Sequence, residues 1–482
     1  MMNIIKSNEK RVAKDVFNSI PSVDENVVNE ILQKELVDFN KKIIVLDDDP
    51  TGVQTIHDIS VYTDWSVDSI TKGFLEEKSM FFILTNSRGL TEDETEKAHK
   101  EIAANVVEVA KKYNKEFVII SRGDSTLRGH YPLETEVLKD TVETDADIKF
   151  DGEVIFPFFK EGGRFTVDNI HYVQYDEYLV PAGETEFAKD RTFGYERSHL
   201  GEWVEEKSNG QFTAENTTYI SLQQIRALDI DGITNQLLAV QGFNKVIVNA
   251  VDYVDVKILT IALVKAMKIG KDFMFRSAAA LTKIIGGVSD KGLLTKEELM
   301  KEKSENGGLI IVGSHVKKTT EQLEELKTCS FIEFIEFNCH LVLEPDRFKE
   351  EINRVIETCE SLISSGKTVA VYTKRERLDL GENKKKEELM LSVKISDAVT
   401  SIVQRLKVRP NYIVAKGGIT SSDIGVKGLE VKRATVAGQI KPGIPVWVTG
   451  TESKFPGIAY VIFPGNVGTK DTLREAVEIL SR

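Results

Sequence analysis

The sequence predicts an α/β protein of two domains, and three observations lead there. "KIIVLDDD", "MFFILTNSRG" and "EFVIISRGDS" are short apolar runs ending in polar or glycine residues, with amphipathic stretches such as "TEDETEKAHKEIAANVVEVAKKY" between them. A second series of the same kind, "GLIIVGSH", "KTVAVYT", "NYIVAKGG" and "AYVIFPGNVG", begins after Gly308. A charged, aromatic-poor stretch, "SDKGLLTKEELMKEKSENGG", lies between the two series. Strands alternating with helices of this length make βαβ units and a parallel sheet. A chain of 482 residues also exceeds what one core ordinarily holds.

Taken in order, residues 1–40 are charged and read as an N-terminal helical extension, since "VDENVVNEILQKEL" carries apolar residues at helical spacing. Residues 41–285 form the first domain. Within it, about 150–240 is looser, with "EGGRFTVDNIHYV" and "VPAGETEFAKDRTFGYERSHL" reading as loops and short strands, before "NKVIVNAVDYVDVKILTIALVKAM" returns to strand and helix. Residues 286–307 read as a linker region and 308–482 as the second domain.

Composition narrows the function. The formal net charge of −13 and a pI near 5.3 argue against a general electrostatic grip on nucleic acid or an anionic membrane. An anionic small molecule would therefore need a local cluster of arginines. No apolar run approaches the ~20 residues that span a bilayer, and the N-terminus lacks the features of a signal peptide. Three cysteines, Cys329, Cys339 and Cys359, without C-x-x-C spacing fit buried, reduced thiols and a cytoplasmic protein.

In open α/β sheets ligands bind at the carboxyl ends of the strands, and Asp47–Asp49, Ser87–Arg88 and Arg122–Asp124 all fall at such ends. In "VIISRGDSTLRGHYPLETEVLKD", Arg122 and Arg128 bracket Asp124 and Ser125 shortly before a helix. Guanidiniums beside a helix start suit a carboxylate, with Arg88 as a third fork. The other reading is a structural ion network that pairs these arginines with Asp47–Asp49. Three arginines and four aspartates at neighbouring strand ends favour a site. One carboxylate of the aspartate run could then accept a hydroxyl proton or position a metal. Asp48 is the choice, although the spacing does not exclude Asp47.

In the second domain, "GLIIVGSHVKKTTEQLEEL" reads as strand, turn and a helix capped around Thr319 with Glu321 and Gln322 in its first turn. "YIVAKGGITSSDIGVKG" and "AYVIFPGNVGTKDTLREAVEIL" repeat the pattern of strand, glycine turn and helix. Glycine lets backbone approach a phosphate, and helix N-termini aim N–H donors at it. Three such turns point to a nucleotide site. Familiar nucleotide and catalytic motifs are missing. "SSGKTVAVYT" precedes a strand, where a P-loop follows one, and it has Ser361 at the first glycine position. There is no G-x-G-x-x-G, no paired histidine spacing for zinc and no G-x-S-x-G elbow.

The segments "VLDDDPTGVQT", "TNSR", "SRGDSTLRGH", "EGGRFTVD", "IVGSH", "AKGGITSSD" and "FPGNVG" together, in this order from Lys41 to the C-terminus, resemble the four-carbon acid sugar kinase family. That resemblance implies an N-terminal sugar-acid-binding domain, a C-terminal nucleotide-binding domain and an active site in the cleft between them. It implies ATP and Mg²⁺ as cofactors and phosphorylation of the terminal hydroxyl of a threonate, erythronate or oxo-tetronate. Carried over by motif, Asp48 is the catalytic residue and a substrate contact, joined by Arg88, Arg122, Gly123, Asp124 and Ser125. ATP would be held by Ser314, by Gly417, Gly418, Ile419 and Thr420, and by Gly465, Asn466, Val467 and Gly468. No dedicated metal ligand is assigned. Many members carry Lys-x-Asp-Ser where this chain has Arg122-Gly123-Asp124-Ser125, an acidic residue where it has Ile419, and G-N-F-G where it has Gly465-Asn466-Val467-Gly468.

The expected mechanism is phosphoryl transfer, with arginines on the carboxylate, Asp48 on the hydroxyl and glycine turns on the phosphates. The rivals are a kinase for a larger or branched sugar acid and a non-catalytic nucleotide- or metabolite-binding protein. An ATP-independent aldolase or isomerase would need a Schiff-base lysine or metal cage that the sequence does not display. The expected partner is a small sugar acid, with no nucleic acid and no membrane. A homo-oligomer stays open.

Overall fold

Strands buried on both faces of a parallel sheet read as unbroken apolar runs, and the runs of the first series are of this kind. In the computed structural model, which describes residues 10–301, 304–376, 378 and 385–481, every residue of Lys42–Asp47, Met80–Leu84 and Phe117–Arg122 is buried. Residues 1–9 of the expected extension and 302–303 of the expected linker lie outside the described residues. The chain divides into two compact units, Met1–Gly52 with Asp64–Ser289, and Val53–Thr63 with Asp290–Arg482.

The first unit carries an all-parallel sheet in the order Thr218–Ile220, Asn244–Val248, Gly152–Phe156, Phe273–Ser277, Phe117–Arg122, Lys42–Asp47 and Met80–Leu84. The chain starts in Lys42–Asp47, moves outward to Met80–Leu84, then returns to the other side at Phe117–Arg122. That reversal is a topological switch point, where open α/β sheets bind ligands. The looser region contributes an antiparallel four-stranded sheet of Val12–Ala13, Tyr178–Pro181, Ile170–Tyr175 and Arg164–Val167. Beneath it Tyr131 stacks on Trp203 with ring centroids 4.5 Å apart. The N-terminal helix forms over Glu25–Val37, capped by Asp24, and lies on the helix Tyr253–Lys268 with ion pairs Lys257–Glu25 and Lys268–Glu35.

In the second unit Ile332–Phe337, Thr368–Thr373, Leu309–Val312, Tyr412–Lys416 and Ala459–Phe463 run parallel. An antiparallel edge of Ile444–Thr449, Arg433–Lys441 and Ser60–Tyr62 continues the sheet. The Ser60–Tyr62 strand comes from far upstream, and no local feature of the sequence signals its place here. Ile310, Val312, Val414, Val461 and Phe463 build the core with Leu473 and Val477 of the helix Thr472–Ser481. The helix expected to be capped around Thr319 starts earlier, at Lys317–Leu326, with Val316 at its N-cap and no side-chain cap. Thr319 is instead buried, and its hydroxyl donates to the carbonyl of Gly465 at 3.3 Å, a partner that local sequence cannot show.

Candidate functional site

Register assembles the first cluster. Asp47 pairs with Arg122 across neighbouring strands, and Arg122 with Ser277 on the next. Backbone bonds continue beyond the strand ends, Asp48 N–H to Arg122 O at 3.2 Å and Gly123 N–H to Ser277 O at 2.9 Å. The three aspartates and Arg122 are therefore held in one place by the sheet itself. Nη1 of Arg122 lies 3.0 Å from Oδ1 of Asp47 and 3.3 Å from Oδ1 of Asp48. Arg88, on the turn Ser87–Gly89, places Nε 3.2 Å from Oδ2 of Asp48, binds Asp49 through Nη2, and has Nη1 3.8 Å from Asp124. The Asp124 N–H donates to Oδ2 of Asp48 at 3.1 Å.

Arg88 is kept in position from behind. The Ser87 hydroxyl donates to Glu134 at 2.6 Å, and His130 Nε2 lies 3.1 Å from the Ser87 carbonyl. Burial opposes the charge on Glu134, but His99, Arg276 and the Ser87 bond outweigh it and hold the carboxyl below its ordinary range.

Close charges in a dry site separate in their protonation. Burial lifts Asp47 to about 8, against the pull of Arg122 and with Asp48 and Asp49 adding to the rise. Burial also raises Asp48, despite Arg88, Arg122 and Arg276. Asp49 is less buried than its two neighbours, and although burial still opposes its charge, Arg88, Arg122 and two bonds from Thr51 bring it below the ordinary value. Asp124 is driven well below it by Arg88, Arg128 and Thr126, which together exceed the cost of burial. Burial thus favours the protonated form of Asp47, against the pull of Arg122, while the arginines favour charge on Asp49 and Asp124. Asp48 has the raised basicity that suits a proton acceptor.

Two glycines make this packing sterically feasible. A Cβ on Gly52 would stand 2.1 Å from Oδ2 of Asp47, and one on Gly123 1.2 Å from Nη1 of Arg276. Ser125 is buried, and its carbonyl accepts from Nε2 of His171 at 2.7 Å. Burial lowers His171 to about 4, so it is neutral; its Nδ1 therefore accepts from the Thr166 hydroxyl at 3.0 Å.

In the second unit Val312, Lys416 and Phe463 stand in one row across three adjacent parallel strands. The segments leaving these ends accordingly start side by side: the loops 313–315 and 464–468, and Gly417 at the N-cap of the short helix Gly418–Asp423. A cavity of about 370 Å³ opens over the 313–315 loop and this helix start, with Ser314, Gly417, Gly418, Ile419 and Thr420 in its lining. Leu391, Ile395 and Val399 of the helix Lys385–Arg405 give it an apolar wall. The cavity thus has an apolar wall on one side and the backbone of a glycine turn and a helix start on the other. Gly313 leaves room for the Thr420 hydroxyl, whose oxygen would be 2.3 Å from a Cβ there. Gly417 has a φ of 125°, which a side chain rarely adopts. Ile419 is 74 % exposed.

Gly465, Asn466, Val467 and Gly468 do not line that cavity but form the neighbouring loop. Lys318 Nζ lies 3.4 Å from Asn466 O, and Gln322 donates to Val467 O at 3.1 Å. Gly468 takes a φ of 83° against Thr472. The structure thus gathers Asp48, Arg88, Arg122, Gly123, Asp124 and Ser125 in the first unit, and the ATP-binding candidates around one row of strand ends in the second.

Several residues at these places escape sequence reasoning. Arg276 and Arg164 join the first cluster from strands remote in sequence. Lys416 is fully buried, and its ammonium donates to Pro464 O at 2.5 Å and Gly465 O at 3.1 Å. A lysine closing the apolar run "YIVA" was the available signal. Arg375 donates to Ser314 O at 2.7 Å and to the Thr320 hydroxyl at 2.8 Å. The three cysteines are free and buried. Among the described residues no helix is long and apolar enough to cross a membrane.

Residues 43–285 match a family model described as a sugar-binding N-terminal domain, and 309–473 one described as a nucleotide-binding C-terminal domain. No curated protein matches the sequence. Among solved structures, a Haemophilus influenzae protein of the family DUF1537 is similar at a TM-score of 0.60 and 17 % identity, over 91 % of this chain and all (100 %) of that one. A Salmonella typhimurium LT2 protein described as a putative tRNA synthase is similar at 0.63 and 15 % identity, over 90 % and 98 %. At such identities the likeness carries the fold and nothing further.

Proposed function

We propose that this chain, which belongs to the four-carbon acid sugar kinase family, transfers the γ-phosphoryl group of ATP to the terminal hydroxyl of a four-carbon sugar acid of the threonate, erythronate or oxo-tetronate type. The observation that carries this reading is Asp48: a buried carboxylate of raised basicity, oriented by Arg88, Arg122 and the Asp124 N–H.

In the proposed reaction the sugar hydroxyl attacks the γ-phosphorus and its proton passes to Asp48. The bond from γ-phosphorus to the bridging oxygen breaks, and ADP leaves with that oxygen. Ser314, Gly417, Gly418 and Thr420 hold the nucleotide, with the 465–468 loop beside them. Among the described residues no group of three or more His, Cys, Asp or Glu is arranged to cage a metal ion. Mg²⁺ fits as a cation carried on the ATP phosphates, which needs few protein ligands. Bound there it offsets the negative charge of the phosphates.

The test is Mg²⁺-dependent ADP formation from ATP against a panel of four-carbon sugar acids and their oxo forms. Turnover with one member establishes the kinase and names its substrate. Turnover only with a larger or branched acid shifts the substrate class. ATP binding without acid-dependent ADP formation makes the chain a binding protein instead. Asp48→Asn should lower kcat by about 10²–10⁴-fold and leave ATP affinity unchanged; full activity in that variant removes Asp48 from the mechanism.

A further inference from the structure

The arginines around Asp124 are not equally available to a ligand. Arg88 is engaged by Asp48, Asp49 and Asp124, Arg122 by Asp47 and Asp48, and Arg128 by Asp124 at 2.7 Å and Asp190 at 3.8 Å. Arg276 is buried against the Gly123 backbone, with Nη2 donating to the Arg128 carbonyl at 2.9 Å. Arg164 differs from all of these. Nε of Arg122 and Nη1 of Arg276 are also buried without a partner, but among the described residues the Arg164 guanidinium has no carboxylate at ion-pair distance and no hydrogen-bond acceptor at any of its nitrogens, and its own Nε is buried without a partner.

Its place in the fold is well determined. Arg164 opens the strand Arg164–Val167, which is fastened to the Asp124 loop through Thr166, His171 and the Ser125 carbonyl. Its guanidinium carbon lies 5.5 Å from the Phe187 ring centroid, and that of Arg128 lies 5.1 Å from the same ring. The Phe187 ring therefore places Arg164 next to Arg128, the residue that binds Asp124, with the Arg164 guanidinium within cation–π distance. Burial disfavours the charge on Arg164 most, and it outweighs the support of Asp124, Tyr175 and Glu186, none at ion-pair distance, while the like charge of Arg128 adds to the penalty. An arriving carboxylate would remove that penalty and bind through paired N–H donors. The same carboxylate gains little from Arg88 or Arg122, whose charges aspartates already offset.

We propose that Arg164 seats the carboxylate of the sugar acid and makes the site select acids over the matching polyols, while Arg88 and Arg122 serve mainly to hold the aspartates. This rests on the sugar-acid kinase reading. It changes which arginine confers specificity.

Calorimetric titration of the wild type, Arg164→Gln and Arg164→Lys with erythronate, threonate, erythritol and threitol tests it, with ADP formation measured in parallel. The expected result is a loss of about 10- to 150-fold in acid affinity and in KM for the acid in Arg164→Gln. Arg164→Lys should recover part of that affinity. Polyol binding, ATP affinity and the thermal midpoint should stay at wild-type values. Unchanged acid affinity in Arg164→Gln overturns the assignment, and if the wild type forms ADP the kinase reading still stands. Acid binding that depends on Arg164 without ADP formation upholds the assignment and overturns the kinase reading. A wild type that binds neither acid overturns the assignment.

Discussion

Arg276 packs against Gly123 so closely that a Cβ on the glycine would stand 1.2 Å from Nη1 of the arginine. Only 5 % of Arg276 is exposed and its Nη2 is bound to the Arg128 carbonyl, so the guanidinium has little room to retreat. Asp48, whose charge Arg276 helps to offset, feels any such shift.

Gly123→Ala should therefore displace Arg276 or lift the 122–125 loop. The expected cost is about 1–3 kcal/mol of stability from overpacking. Steady-state kinetics should show kcat/KM falling by about 10²-fold, since displacements near 1 Å at a reacting centre have that effect. Wild-type kinetics would show that the loop tolerates the shift.

His171 gives a pH dependence with a definite sign. Its pKa is about 4 in the folded chain because of burial, against 6.5 ordinarily. Between those values the unfolded chain binds a proton that the folded chain does not, so stability is lost as pH falls from about 6.5 toward about 4. Asp47, raised to about 8, acts in the opposite direction from about 8 down to its ordinary value of 3.8. The difference between wild type and His171→Gln isolates the histidine. Denaturant unfolding should show the stability of the variant rising relative to that of the wild type as pH falls through that window, because the histidine no longer opposes Asp47 there. At neutral pH the variant should be about 1–3 kcal/mol less stable if a buried hydrogen bond goes unmade.

Lys416→Met retains most of the buried volume and removes both bonds to the 464–465 backbone. Burial already lowers this lysine to about 7, so the site tolerates loss of its charge better than loss of its donors. A Pro464 carbonyl left without its lysine donor, and a Gly465 carbonyl left with the Thr319 hydroxyl alone, should loosen the 464–468 loop. Titration with a fluorescent ATP analogue should show about tenfold or greater weakening, with sugar-acid binding unchanged.

Strand ends were legible in the sequence because parallel strands buried on both faces end abruptly at a polar residue or glycine. Asp47, Arg122, Gly313 and Gly417 all lie at such ends, and sites on open α/β sheets form there. Arg164 and Arg276 left no comparable mark. Arg276 sits within the run "FMFRS", where one charge among apolar residues says nothing of its partner, and Arg164 lies in the loosely patterned "EGGRFTVD". Ser60–Tyr62 was illegible for a related reason. Its antiparallel partner lies near residue 434, and pairing over such separation has no local periodicity to reveal it.

By itself the sequence determined which residue types meet the carboxyl ends of the two strand series, and hence that acids, arginines and glycine turns would gather there. Only the tertiary structure decided how those charges are distributed. Asp47, Asp48 and Asp49 are neighbours in sequence, yet one is raised to about 8, one is raised and one is lowered. Arg122 and Arg164 are the same residue type, yet one is bound by two aspartates and the other lacks a carboxylate partner among the described residues. Protonation and pairing depend on burial and on distances of a few ångströms, and those are set by strand register and loop docking between segments far apart in the chain.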